Sequence, residues 1–228
     1  MQTGAGFFGS SIGKKIVMAI TGVMLVGFVV VHMIGNLQLY LPAHEGVYPL
    51  VYPLDTYGEF LRTLLHGSGI WIARATLLTA AALHIWAAVG LTLMNRAARP
   101  IGYQNQEYVA STFASRWMRV SGVVVLVFII FHLLHLTIGN VLPGFEHGKV
   151  FHNVVSGFQV PWVAAFYILA MVFFATHLHH GIWSMLQTLG LSHPRYNGLR
   201  NGLATLLTIL VIGANISFPL AVLTGLVR

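Results

Sequence analysis

Five stretches of this sequence are apolar for about 20 residues or more, the length a helix needs to cross the hydrocarbon of a bilayer. They run near Ile16–Leu41, Ile70–Met94, Val120–Ile138, Pro161–Leu189 and Leu203–Val227, and little chain is left between them. The expected fold is therefore an all-α membrane protein with five transmembrane helices, a single domain over residues 1–228. Composition agrees, because 57% hydrophobic and 7% charged residues leave too little charge to wet a soluble surface of this size. The N-terminus lacks a cleavable signal pattern and leads straight into a full-length span. Ser10 or Ser11 is placed to cap that first helix.

The formal net charge is +7, but its distribution points to a membrane and not to nucleic acid. Lys14, Lys15, Arg96, Arg99, Arg116, Arg119, Arg195 and Arg200 fall before the first span or in the second and fourth connections. Five crossings put all of them on one side, which the positive-inside bias makes cytoplasmic, with the N-terminus inside and the C-terminus outside. Glu45, Asp55, Glu59 and Glu146 fall on the other side, with Arg62, Lys149 and Arg228 as its basic residues. The basic face suits a peripheral partner or anionic lipid. There is no cysteine, which excludes thiolate-held iron–sulfur clusters, covalently attached c-type haem and disulfides within the chain. The outer connection from Pro42 to Ser68 is the longest and contains the Tyr/Pro-rich "VYPLVYPL", expected to be irregular. No convincing sequence repeat stands out.

Each of the first four spans carries a histidine well inside its apolar run: His32, His84, His132 and His177. Ionisable groups inside a membrane are costly, and four in consecutive helices are hard to explain as isolated helix contacts. Helical rise puts His32 about 13 Å and His132 about 12 Å from the outer ends of their spans. The same rise puts His84 about 20 Å and His177 about 24 Å from theirs. The histidines thus sort into two layers, His32 with His132 and His84 with His177.

Two layers of paired imidazoles in a four-helix core suit two bis-histidine haems, one above the other. Small residues near the ligand faces would give the macrocycles room: Gly27, Gly35, Ala80, Ala88, Gly139 and Gly181. Zinc would need three or four ligands at one level, commonly with a carboxylate or thiolate, and no acidic residue lies inside any span. A histidine proton relay is the other alternative, although such relays usually recruit Asp or Glu. The fourth span offers three histidines in "HLHHG". His179 points about 200° away from His177 around the helix and reads as a helix contact. His180 shares the face of His177 one turn nearer the cytoplasm, where a propionate or quinone contact is possible. Gly181 lies one turn below His177, where a macrocycle can approach the backbone. His177 is therefore the expected ligand. In "FHLLH" the same logic favours His132, with His135 a turn nearer the outside as a propionate or quinone contact.

The chain resembles the five-helix, di-haem cytochrome b membrane anchors of bacterial succinate dehydrogenases and fumarate reductases. The resemblance is carried by "SSIGKKIVMAITG" leading to "VVHMIGNLQLY", by "ALHIWAAVGLTLMNRAARPIGY", by "SRWMRVSG" with "FHLLH", and by "HLHHGIWSMLQTLGLSHPRY". It implies two haems b, the outer held by His32 and His132 and the inner by His84 and His177. The second nitrogen of each ring is expected to donate to a backbone carbonyl. The resemblance also implies a flavoprotein (FAD) subunit and an iron–sulfur subunit docked on the cytoplasmic face, against "NRAARPIGY" and Arg195–Arg200. A quinone, by analogy menaquinone, would accept or supply electrons in a respiratory complex II of the bacterial plasma membrane. Arg74 could pair with an outer propionate or snorkel at the interface, and His66 and His135 are candidates for an outer quinone pocket. Some fumarate reductases of this type carry a glutamate just before the ligand of the fourth span. Ala175 and Thr176 stand there, which removes the carboxylate on which a proton pathway would rest. The rival readings are a di-haem anchor of a hydrogenase or formate enzyme, and a histidine-relay proton channel or transporter.

Overall fold

The computed structural model describes residues 6–44, 50–98 and 113–228, and among these every regular element is helical. Glu45, Arg99 and the "PIGY" part of the expected docking stretch lie outside the described residues. The elements are α1 (Ser11–Asn36), α2 (Pro53–Thr63), α3 (Ser68–Ala97), α4 (Phe113–Leu133), α5 (Val150–Phe158), α6 (Pro161–Thr188) and α7 (Pro194–Leu223). Among the described residues five helical stretches, in which α1, α3, α4, α6 and α7 supply the crossings, are long and apolar enough to span a bilayer. The chain is a multi-pass membrane protein. Its many exposed large side chains, such as Val23, Ile72, Val127 and Ile209, would be an aggregation hazard in water and are the expected surface in lipid.

Helix starts follow local chemistry. Ser10, rather than Ser11, caps α1: its Oγ accepts the Gly13 N–H at 3.0 Å, the usual N-cap bond to the third helical residue. Gly13 has no alternative, since a Cβ there would run into the Phe7 carbonyl of the preceding 3₁₀ turn. Proline opens α2, α6 and α7 in the first turn, where its missing N–H costs nothing. Hydropathy alone places the last span from Leu203, yet α7 begins at Pro194. The polar "PRYNGLRNG" forms its first turns, because apolarity marks the lipid-crossing part of a helix and not its full length. The helical stretch of α4 continues into a wider π turn, Leu134–Ile138, that closes on Gly139 at φ +80°.

Two short helices in the outer connections are absent from the hydropathy pattern. In the outer loop the described residues 41–44 and 50–52 are irregular, and α2 begins at Pro53. Leu54 buries inward, and Tyr57 lies against Gly35, where a Cβ would press on its ring. Lys149 gives α5 no side-chain cap. Asp55 of α2 supplies one across space, its Oδ1 accepting the Phe151 N–H at 2.8 Å. Tyr52 stacks flat on Phe151 with centroids 3.7 Å apart. These contacts join Leu39, Leu54, Phe151, Phe158, Tyr167 and Phe218 into one outer core. Between α2 and α3 the chain reverses through Leu65, His66 and Gly67, all at positive φ. For the two non-glycine residues that conformation costs about 1–2 kcal/mol each.

The crossing helices pack as α1 on α3, α4 on α6, and α1 on α6, with α7 lying along α6 and touching α1. A polar bond from His179 Nε2 to Thr205 Oγ1, 3.1 Å, ties α6 to α7, so His179 is a helix contact. Asp55→Ala should cost about 1 kcal/mol, as for other lost N-caps. In detergent this would lower the thermal midpoint by about 2–4 °C, whereas Asp55→Asn, which keeps an acceptor, should lose less. Equal losses in both variants would mean that the cross-helix cap contributes nothing.

Candidate functional site

Helices α1, α3, α4 and α6 each turn one intramembrane histidine toward the others, and the rings meet in two pairs. His32 of α1 and His132 of α4 have centroids 5.9 Å apart with planes at 87°. His84 of α3 and His177 of α6 stand 6.5 Å apart at 58°. These are the pairs that the depth argument brings together. Phenylalanines one turn earlier support the first pair: Phe28 stacks on His32 at 5.3 Å, and Phe128 tilts against His132 at 5.7 Å.

The partners of the rings include the expected backbone carbonyls and, beyond them, hydroxyls. Backbone carbonyls do face two of the rings, Met18 at His84 and Met118 at His177, and hydroxyls on neighbouring helices join them at hydrogen-bond distance. Thr21 Oγ1 lies 3.0 Å from His84 Nδ1, Ser121 Oγ lies 3.4 Å from His177 Nδ1, and Tyr167 OH lies 3.3 Å from His132 Nδ1. Sequence reasoning passed over these three residues, because a hydroxyl in a transmembrane helix ordinarily bonds its own backbone. With Nδ1 engaged in these three rings, Nε2 is the nitrogen left to each for a further partner.

The arrangement fits a group that takes two axial imidazoles. Two metal–imidazole bonds of about 2 Å, with the reach from each nitrogen to its ring centre, put paired centroids about 6 Å apart. The observed 5.9 and 6.5 Å bracket that distance. Among the described residues no three side chains of the His, Cys, Asp or Glu type converge as a metal site, as tetrahedral zinc would need. Glycine backbone flanks the inner rings, with a Cβ on Gly122 coming to 3.3 Å from His177 Cε1 and one on Gly22 to 3.9 Å from His84 Cε1. Gly27 and Gly181 face open space. Gly35 and Gly139 are committed elsewhere, to Tyr57 and Phe145. An open groove of about 480 Å³ between α1 and α3 is lined by Thr21, Met24, Ala80 and Leu83 among others, and by none of the four histidines.

The remaining candidates lie away from the ring pairs. His135 is buried, its Nδ1 3.0 Å from the Tyr167 hydroxyl that also reaches His132. Its ring lies against Gly157 of α5, beside a cavity of only about 100 Å³ with Asn153 and Ser156 in its wall. That is below the roughly 300–1,000 Å³ of typical ligand pockets. His180 is half-buried, its Nε2 3.0 Å from Ser184 Oγ and its ring stacked on Trp183. Arg74 is exposed near the outer end of α3 with its guanidinium 4.8 Å over Trp71, and His66 is exposed in the left-handed turn. Of the basic residues, Arg200 is buried, 4.4 Å over Trp183 and bonded to the Leu191 carbonyl. Lys14 is buried against Trp86 and donates to the Phe8 carbonyl at 2.6 Å. Both are taken up in packing, whereas Lys15, Arg119 and Arg195 are exposed.

No curated protein and no solved structure matches the chain. The family described as succinate dehydrogenase/fumarate reductase transmembrane subunit matches residues 94–216, more than half of the sequence, including all of α4 and α6 and both His132 and His177. With five spanning helices and this match, the chain belongs to the family of succinate dehydrogenase/fumarate reductase transmembrane subunits.

Proposed function

We propose that the chain is the membrane anchor and electron-carrying subunit of a succinate:quinone oxidoreductase, with haem b between His32 and His132 and between His84 and His177. The observation that carries the reading is the meeting of four imidazoles as two pairs, at the separations two axial ligands require. Bound between two imidazoles, each haem would supply one-electron transfer with no open coordination position. The chain's residues do the rest. Four helices hold the rings at two depths, hydroxyls engage Nδ1, and apolar walls exclude water.

On this reading the inner pair lies nearer the N-terminal, basic side, which faces the cytoplasm of a bacterium. An iron–sulfur subunit, with its flavoprotein, would dock there against the exposed Lys15, Arg119 and Arg195 and pass electrons inward. The outer pair would exchange electrons with a quinone, by family analogy menaquinone. The family match supports this complex over a hydrogenase or formate anchor.

The purified chain, expressed with ample haem, should show two haems b per chain by pyridine haemochrome. When co-purified with its flavoprotein and iron–sulfur subunits, those haems should be reduced by succinate. A colourless protein would overturn the reading in favour of a histidine relay. Haem bands that succinate cannot reduce would point to another dehydrogenase. Gly122→Ala should disturb the inner haem more than Gly22→Ala, because its Cβ meets the ligand ring at 3.3 Å against 3.9 Å. A shift in haem content or spectrum of the same size in both would mean the ring does not rest on Gly122.

A further inference from the structure

Resting on the assignment of His84 and His177 to one haem, we propose that Thr21 and Ser121 are paired positioning residues that orient these two ligands from the neighbouring helices. The first observation is an internal correspondence. Met18, Thr21, Gly22, Val23, Phe28 and His32 of α1 recur as Met118, Ser121, Gly122, Val123, Phe128 and His132 of α4, each one hundred residues on. The correspondence keeps one register up to His32 and His132 and is lost after them, where "IGN" follows His32 after one residue but His132 only after five. The π turn Leu134–Ile138 lies in that longer stretch. The structure brings out the correspondence through contacts. In α1 the hydroxyl meets the histidine of α3, in α4 it meets the histidine of α6, and the adjacent glycine lies beside the same ring in both. Both ring pairs thus join equivalent positions of two halves, α1 with α3 and α4 with α6.

The second observation concerns the other contacts of the two hydroxyls. Thr21 Oγ1 is 2.8 Å from the Val17 carbonyl and 3.2 Å from that of Met18, and Ser121 Oγ is 3.2 Å from the Met118 carbonyl. A hydroxyl has one proton, and a carbonyl can only accept. With the proton on Nδ1, each hydroxyl keeps its bond to its own helix and accepts Nδ1–H from the histidine. That tautomer leaves Nε2 unprotonated and able to ligate iron. A side chain bonded only to its own helix would be the ordinary membrane case; here the same second contact is made at two equivalent positions. The outer layer breaks the correspondence. Ten residues before His177 stands Tyr167, which reaches His132, while ten before His84 stands Arg74, exposed over Trp71.

An Nδ1–H bond to oxygen raises the basicity of a ligand imidazole and so favours the oxidised iron. Redox titration of the purified full chain, with low-temperature electron paramagnetic resonance of the ferric haems, tests the role. Thr21→Val, nearly the same shape without the hydroxyl, should keep two haems and raise one of the two midpoint potentials while leaving the other unmoved. Thr21→Ser should restore it. Ser121→Ala should move the same midpoint upward by less, its bond being longer. Loss of one haem in Thr21→Val with retention in Thr21→Ser would also support the role. Two haems with unshifted midpoints and unchanged resonance in both Thr21→Val and Ser121→Ala would overturn it. So would a Thr21→Ser variant that behaves like Thr21→Val. A wild-type chain without haem would instead remove the reading on which this proposal rests.

Discussion

Four imidazoles inside apolar helices set the terms for the rest of this structure. A polar ring in hydrocarbon is costly unless its nitrogens find partners, and a single helix cannot supply them at this depth. The rings therefore come in facing pairs, and three of the four set Nδ1 against a hydroxyl from another helix. Each such bond joins two helices, α1 to α3 and α4 to α6. The polar contacts that satisfy the histidines thus also help assemble the bundle.

Packing is distributed unevenly around that centre. α6 and α7 are the most buried spans, whereas α1, α3 and α4 leave most of their surfaces uncovered. Membrane helices gain little by burying apolar side chains against each other when lipid is equally apolar. Close packing is concentrated instead at the outer end, where α2 and α5 clasp through Asp55, Tyr52 and Phe151 over the core around Tyr167. Tyr167 belongs to both regions. Its ring packs on Phe158 of α5, and its hydroxyl lies between His132 and His135. Together with Phe128, it connects the core beneath the cap to the ring of His132.

Much of this was legible in the residues. Hydropathy located all five spans, because the 30 Å hydrocarbon core of about that thickness imposes a length that composition must meet. Helical rise alone sorted His32 with His132 and His84 with His177, since depth in a straight helix is linear in residue number. What escaped has physical reasons. The helices α2 and α5 are stabilised by contacts with each other and with the bundle, and Asp55 caps a helix nearly a hundred residues away. The start of α7 is polar, and hydropathy sees only its lipid-crossing part. Thr21 and Ser121 look like ordinary helix hydroxyls until the neighbouring histidine is in place. Arg200 reads as a docking charge, yet it folds onto Trp183.

The central claim is that the four histidines act as two specific pairs, and haem content of double variants tests it most directly. His32→Ala with His132→Ala removes both rings of one pair and should leave one haem b per chain. His32→Ala with His84→Ala breaks both pairs and should leave none. The reverse pattern, or equal haem loss in the two double variants, would contradict the pairing.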